Sequence, residues 1–170
     1  MTFPRSLGHL PSSSPARLTG RSVAAADDCV TGRYLDALVV PRLPFGSGLT
    51  YTTFGYGPLR LPAPEMSLHG GSIRVSMDVA NAGNHPGRAV VQLYLRDAVA
   101  DLRRPLLEFA DRVSLVLDAG AVGTTTSTLT PEQLSCYDRT MTLRIDPGEA
   151  VVTVGPDASS GLSARITVTD

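Results

Sequence analysis

The chain contains no tryptophan, and aromatic residues account for only 5% of its 170 positions. A core must therefore come from Val, Leu, Ile and Ala, and a recognition face of clustered exposed aromatics has few residues to draw on. Cysteine is equally scarce. Cys29 and Cys136 are the two present, too few for a disulfide framework, and both read as buried or idle thiols. Charge of either sign is in short supply too: the formal net charge is −1 and the pI about 6.3. That balance offers no basic stripe for nucleic acid and no acidic tail. No run of about eighteen apolar residues exists, so no segment reads as a membrane-spanning helix. The opening Met1-Thr2-Phe3-Pro4-Arg5-Ser6 lacks the apolar stretch of an export signal, which leaves the location open.

Catalytic constellations are missing as well. His9, His69 and His85 have no companion at metal-ligand spacing. Ser12-Ser13-Ser14 lacks the flanking glycines of a nucleophile elbow. A Cys136 nucleophile would need a histidine base brought to it in space. No metal, cofactor or catalytic residue is expected in this chain.

What is abundant is turn chemistry: 16 glycines and 13 prolines, a composition that suits many short strands. From Tyr56 onward the hydrophobic period is two. Ile73, Val75, Met77 and Val79 alternate with Arg74, Ser76 and Asp78, one dry face and one wet face. Val91, Leu93 and Leu95 alternate with Gln92, Tyr94 and Arg96 in the same way. Val113 to Leu117, Thr124 to Leu129, Met141 to Ile145, Val152 to Val154 and Ala164 to Val168 complete about seven strands, separated by turn signals. Such a pattern predicts an all-β chain, an antiparallel β-sandwich of immunoglobulin type. The single helical hint is Thr130-Pro131-Glu132-Gln133-Leu134, one turn at most. Residues 1–42 are uneven, with a Pro11-Ser12-Ser13-Ser14-Pro15 loop, and read as an irregular, loosely held extension.

Between the two parts lies the most informative stretch, Leu43 to Phe54. Gly46 and Gly48 stand between an apolar entry and an exit rich in β-branched and aromatic residues. Glycine there permits unusual backbone angles and close approach of neighbouring chain. The alternation of Leu49, Tyr51 and Thr53 predicts an extended segment with those side chains on a buried face. No Gly-Lys-Ser/Thr follows, so the stretch is a packed joint, not a phosphate loop.

These residues carry a resemblance. Pro44-Phe45-Gly46, Gly48 to Thr52 and Phe54 resemble the segment that ends the second domain of family 3 glycoside hydrolases, the β-glucosidases. In that family it leads into a fibronectin type III-like domain. Val90 to Asp97, Arg104-Pro105, Leu129 to Leu134 and Asp146 to Glu149 are similar to later motifs of that domain, in order. Phe3 to Gly8, Thr19-Gly20-Arg21 and Arg33 to Asp36 resemble the end of the preceding domain in the periplasmic β-glucosidase branch. The resemblance implies three parts: 1–42, a remnant of an α/β domain; 43–57, the joint; 58–170, the fibronectin type III-like sandwich.

Glycoside hydrolysis needs two carboxyl groups roughly 5 to 9.5 Å apart. The acids here, among them Asp78, Asp97, Asp111, Asp118, Asp146 and Glu149, fall in turns or on wet strand faces. The family's nucleophile and acid/base motifs are both absent, so the chain is expected to be inactive alone. The resemblance instead implies docking on the catalytic domains of a β-glucosidase-like enzyme, in cis or in trans, through Phe45, Leu49, Tyr51, Phe54 and Arg104. The rival is a stand-alone module binding carbohydrate or protein; a third reading has the chain complete a split enzyme. Two departures bear on packing. Asp111 and Arg112 replace a glycine and an aromatic of the family, and Ser127 replaces an apolar side chain, which predicts a relaxed core.

Overall fold

The computed structural model describes residues 3–4, 41–97, 107–138 and 140–170. The readings made for His9, Ser12 to Ser14, Cys29 and Arg104, and for nearly all of 1–42, lie outside the described residues. The strands are β1 (Phe54–Tyr56), β2 (Glu65–Ser67), β3 (Ile73–Asn81), β4 (Gly87–Asp97), β5 (Glu108–Leu117), β6 (Val122–Leu129), β7 (Cys136–Tyr137), β8 (Leu143–Arg144), β9 (Gly148–Gly155) and β10 (Leu162–Thr169). A three-stranded sheet, β1-β3-β6, faces a five-stranded sheet, β2-β10-β9-β4-β5, and β7-β8 form a small hairpin. The expected sandwich is thus present. It departs from purely antiparallel pairing at one edge, where β2 runs parallel to β10 with Met66 opposite Val168.

The period-two pattern builds the core. Ile73, Val75, Met77 and Val79 of β3 are buried, as are Ala89, Val91, Leu93 and Leu95 of β4. Val152 and Val154 of β9 and Ile166 and Val168 of β10 complete the inner faces, with Leu117, Leu129 and Leu134 closing them. Burying aliphatic surface at about 25 cal/mol per Å² is what holds the sheets together. Ser127 lies opposite Val75 and lines an internal void of about 10 Å³ with Val91, Leu93 and Val154.

Two details differ from the sequence reading, while the helical hint keeps its expected single turn. Met141 and Leu143 are exposed, and only Leu143–Arg144 is strand in that stretch. Met141 sits at the tip of the hairpin with a φ of 60°, which interrupts the expected strand; Asp138 Oδ1 accepts from the Thr140 and Thr142 N–H groups to shape the turn. The helical hint is a single 3-10 turn, Pro131–Leu134, with the Thr130 N–H donating to Gln133 Oε1 at 2.9 Å. Tyr94 and Gln92, placed by alternation on a wet face, are both buried.

Candidate docking face

The outer surface of the three-stranded sheet is polar. Asp78 accepts both guanidinium nitrogens of Arg60, at 2.5 and 2.7 Å, and the Thr124 hydroxyl at 2.6 Å. Those contacts, Arg60 first, hold the Asp78 carboxyl well below the usual carboxylate range. Other surface acids have partners too: Asp146 pairs with Arg144 and, more loosely, Glu149 with Arg165. Asp111 accepts the N–H of Arg112 at 2.7 Å.

The outer surface of the five-stranded sheet is built differently over β4 and β5. The register of this pair slips between Leu93 and Tyr94: Leu93 pairs with Asp111, but Tyr94 pairs with Phe109. Ala110 is the extra residue of a β-bulge. Regular pairing would set residue 110 opposite Tyr94 and send Phe109 inward. The bulge turns Phe109 onto the outer face beside Tyr94, and the N–H to carboxylate bond of Asp111 supports it. Phe45, from the joint, closes over both. The ring centroids are 6.5 Å apart for Phe45 and Tyr94, 6.1 Å for Phe45 and Phe109, and 5.8 Å for Tyr94 and Phe109, all edge to face. Each such pair adds about 0.5–1.5 kcal/mol beyond its burial.

Gln92 locks the joint in place. Its side chain is only 6% exposed. The amide nitrogen donates to Gly46 O at 2.9 Å and Pro156 O at 2.7 Å, and Oε1 accepts from the Tyr94 hydroxyl at 2.6 Å. The Ala158 N–H donates to Phe45 O at 3.0 Å. The turn Pro44 to Ser47 is closed by Ser47 N–H to Pro44 O, 3.1 Å, with Gly46 at φ 82°, a position that favours glycine. A Cβ at Gly46 would also stand 2.1 Å from Gln92 Oε1. Gly48 carries no such constraint: nothing lies within 4 Å of the place its Cβ would take. Burial, with the charge of Asp157 adding to it, pushes the Tyr94 hydroxyl up to about 12.

Beyond this lock the joint bends at Tyr51 and Thr52 before entering β1, and its buried set is one residue out of phase with the sequence reading. Leu49 and Tyr51 are 98% and 99% exposed. Thr52 and Phe54 face inward instead. The Thr52 hydroxyl donates to Asn81 Oδ1 at 2.6 Å, and Phe54 pairs with Asn81 in the β1-β3 ladder and packs against the core. Asn81 is buried with its amide satisfied, donating to His85 O and Leu117 O. The inversion follows from Asn81 and Gly83. A Cβ at Gly83 would meet Thr52 Oγ1 at 2.2 Å, so the segment seats its small threonine, and not a leucine or tyrosine, against this corner.

Of the residues singled out from sequence, Phe45 and Phe54 are therefore packed within the chain. Leu49 and Tyr51 point to solvent from the short segment between them. Gln92, Tyr94 and Phe109 were not singled out, although they fix the joint. The available signal was an amide and a large aromatic at outward positions between aliphatic residues of β4, where a solvated strand carries charge.

Residues 89–158 match the fibronectin type III-like domain family. The chain is 32% identical over 160 residues to a periplasmic β-glucosidase of Salmonella typhimurium, covering 94% of this chain and 21% of that protein. It is also 32% identical to a β-glucosidase of Rhizobium radiobacter, covering 95% of this chain and 21% of that protein. A crystal structure of a β-glucosidase from Listeria innocua in complex with gluconolactone superposes with a TM-score of 0.89 at 30% identity, over 100% of this chain and 24% of that one. The chain belongs to the carboxy-terminal region of the family 3 glycoside hydrolases. It spans about a fifth of the length of the curated relatives it matches, so in those relatives the equivalent segment is part of a much longer polypeptide. As a family 3 segment with a fibronectin type III-like domain, it carries its joint folded back onto that domain's own sheet.

Proposed function

We propose that the chain is a non-catalytic docking module of a β-glucosidase-like hydrolase. The observation that carries this reading is the contrast along one short segment. Phe45 and Gly46 are locked onto the sheet by Gln92 and Tyr94, while Leu49 and Tyr51, three and five residues beyond Gly46, stand almost fully exposed. Holding two large apolar side chains in water on a fixed backbone is unfavourable unless a partner covers them. The relatives supply the partner class: the remainder of a longer glycosidase polypeptide. Residues 1–42 would then belong to the preceding domain, 43–57 to the joint, whose last residues enter the sandwich as β1, and 58–170 to the module. Leu49, Tyr51 and Arg104 form the proposed docking set, with Phe45 and Phe54 anchoring the joint from within the chain. The test is an aryl β-glucoside assay on two proteins: this chain alone, and the Salmonella relative with its matched segment replaced by this chain. The chain alone is expected to give no turnover and the chimera to retain it. Turnover by the chain alone, abolished by changing one of its carboxylates, would overturn the proposal.

A further inference from the structure

A cleft of about 520 Å³ lies between the joint and the outer face of β4 and β5, within the roughly 300–1,000 Å³ usual for ligand sites. Its walls are apolar and aromatic, with Phe45 and Phe54 from the joint side and Val90 and Phe109 from the sheet, and Leu49 stands exposed at its rim. Its only charged lining residues are Arg88 and Arg112, and no carboxylate lines it among the described residues. Neither guanidinium forms an ion pair among the described residues, whereas Arg60, Arg144 and Arg165 each do. The carboxylate of Asp157, whose charge reaches Tyr94 and Tyr56, is occupied in its own turn, accepting from the Ser159 and Ser160 N–H groups.

The positions of the two arginines are set by the register. Arg88 and Gln92 lie on the same face of β4 with Val90 between them, and Arg112 is the cross-strand partner of Gln92. The guanidinium groups are thus rooted four residues apart along the strand direction, about 13 Å. Arginine's planar fork is matched to carboxylate. We infer that this cleft receives an extended, acidic protein segment that places two carboxylates four residues apart over Arg88 and Arg112, with an apolar side chain between them over Val90. In an extended chain residues i, i+2 and i+4 share one face, so a segment of pattern acid–x–apolar–x–acid meets all three positions at once. The inference rests on the docking reading and adds the chemistry of the occupant to it.

The experiment is a titration of the 15N-labelled chain, followed by backbone amide resonances, with two capped pentapeptides. One is glutamate–serine–leucine–serine–glutamate; the other has glutamine in place of both glutamates. The glutamate peptide is expected to shift the amides of residues 46–50, 88–92 and 112 saturably. Its binding should weaken about tenfold in the double variant Arg88→Gln/Arg112→Gln, to the level of the glutamine peptide. High salt should act in the same direction. Both substitutions are at exposed positions, so an unchanged amide spectrum elsewhere verifies the fold. Equal binding of the two peptides, or no loss in the double variant, overturns the arginine inference and leaves the docking reading standing. If neither peptide moves resonances on this face, the inference is overturned, and the docking reading stands or falls by the chimera assay.

Discussion

The two outer faces of the sandwich come from strands with the same alternation, yet they meet the surroundings in opposite ways. On the three-stranded side, the outward residues of β3 are Arg74, Ser76 and Asp78, and Asp78 is bound in full view of solvent by Arg60 and Thr124. On the five-stranded side, the outward residues of β4 include Gln92 and Tyr94, and Tyr94 is only 1% exposed. The first face is finished by water. The second is finished by protein: the chain's own joint closes over it. The lesson is that alternation assigns residues to faces but does not say what covers each face.

The largest expected effect breaks the covered side. Tyr94→Ala removes the ring between Phe45 and Phe109 and the hydroxyl that satisfies Gln92, and should cost about 3–5 kcal/mol in urea unfolding. A loss below about 1 kcal/mol would mean the ring cluster is not part of the folded core. Gly46→Ala comes next. It sets a Cβ against Gln92 Oε1 at a positive φ, and the expected destabilisation is about 1–3 kcal/mol; Gly48→Ala, which meets no atom, should be close to neutral. If the two alanines behave alike, the Gln92 lock is wrong.

A smaller effect separates the faces by pH. The Tyr94 proton is held more tightly in the folded state than at the usual tyrosine value of 10.0, with its hydroxyl at about 12. Neutral Tyr94 therefore contributes stability that is fully present below pH 10 and fades as pH rises toward about 12. Wild type should lose stability over that window by thermal melting, and Tyr94→Phe should flatten the loss. On the other face the sign reverses. Asp78 is held low, so its contribution is present above the ordinary aspartate range and lost as pH falls through and below it. Because the Arg60–Asp78 pair is exposed, Arg60→Gln should have the smallest effect of these variants, confined to the acid limb and vanishing in high salt.

The buried strips of β3, β4, β9 and β10 were readable in the sequence because aliphatic alternation and a two-sheet core are the same statement. Gly46 was readable as a constrained glycine, since the joint had to turn and approach closely. The phase of the joint was not. Leu49 and Tyr51 looked like the inward set by hydrophobicity, and the inward set is Thr52 and Phe54 because Asn81 and Gly83 leave room only for a small hydroxyl-bearing side chain. That is a tertiary constraint from residues about thirty positions away. The bulge at Ala110 was equally hidden. Asp111 read as a departure from family pattern, and its structural work, accepting the Arg112 N–H beside the bulge, shows only once the strands are paired. The Ser127 departure has a visible counterpart in the small void it lines.

The central claim is that Leu49 and Tyr51 are exposed here because their cover lies in another part of a larger protein. It is tested most directly by the double variant Leu49→Asp/Tyr51→Asp, melted in two settings: this chain by itself, and the chimera with the Salmonella relative. The account predicts an unchanged Tm for the isolated chain, where both side chains already face water. In the chimera it predicts a Tm lower by several degrees, roughly the shift expected for a loss of 1–3 kcal/mol. A chimera that melts as it did before the substitutions, or an isolated chain that loses as much as the chimera, would contradict it.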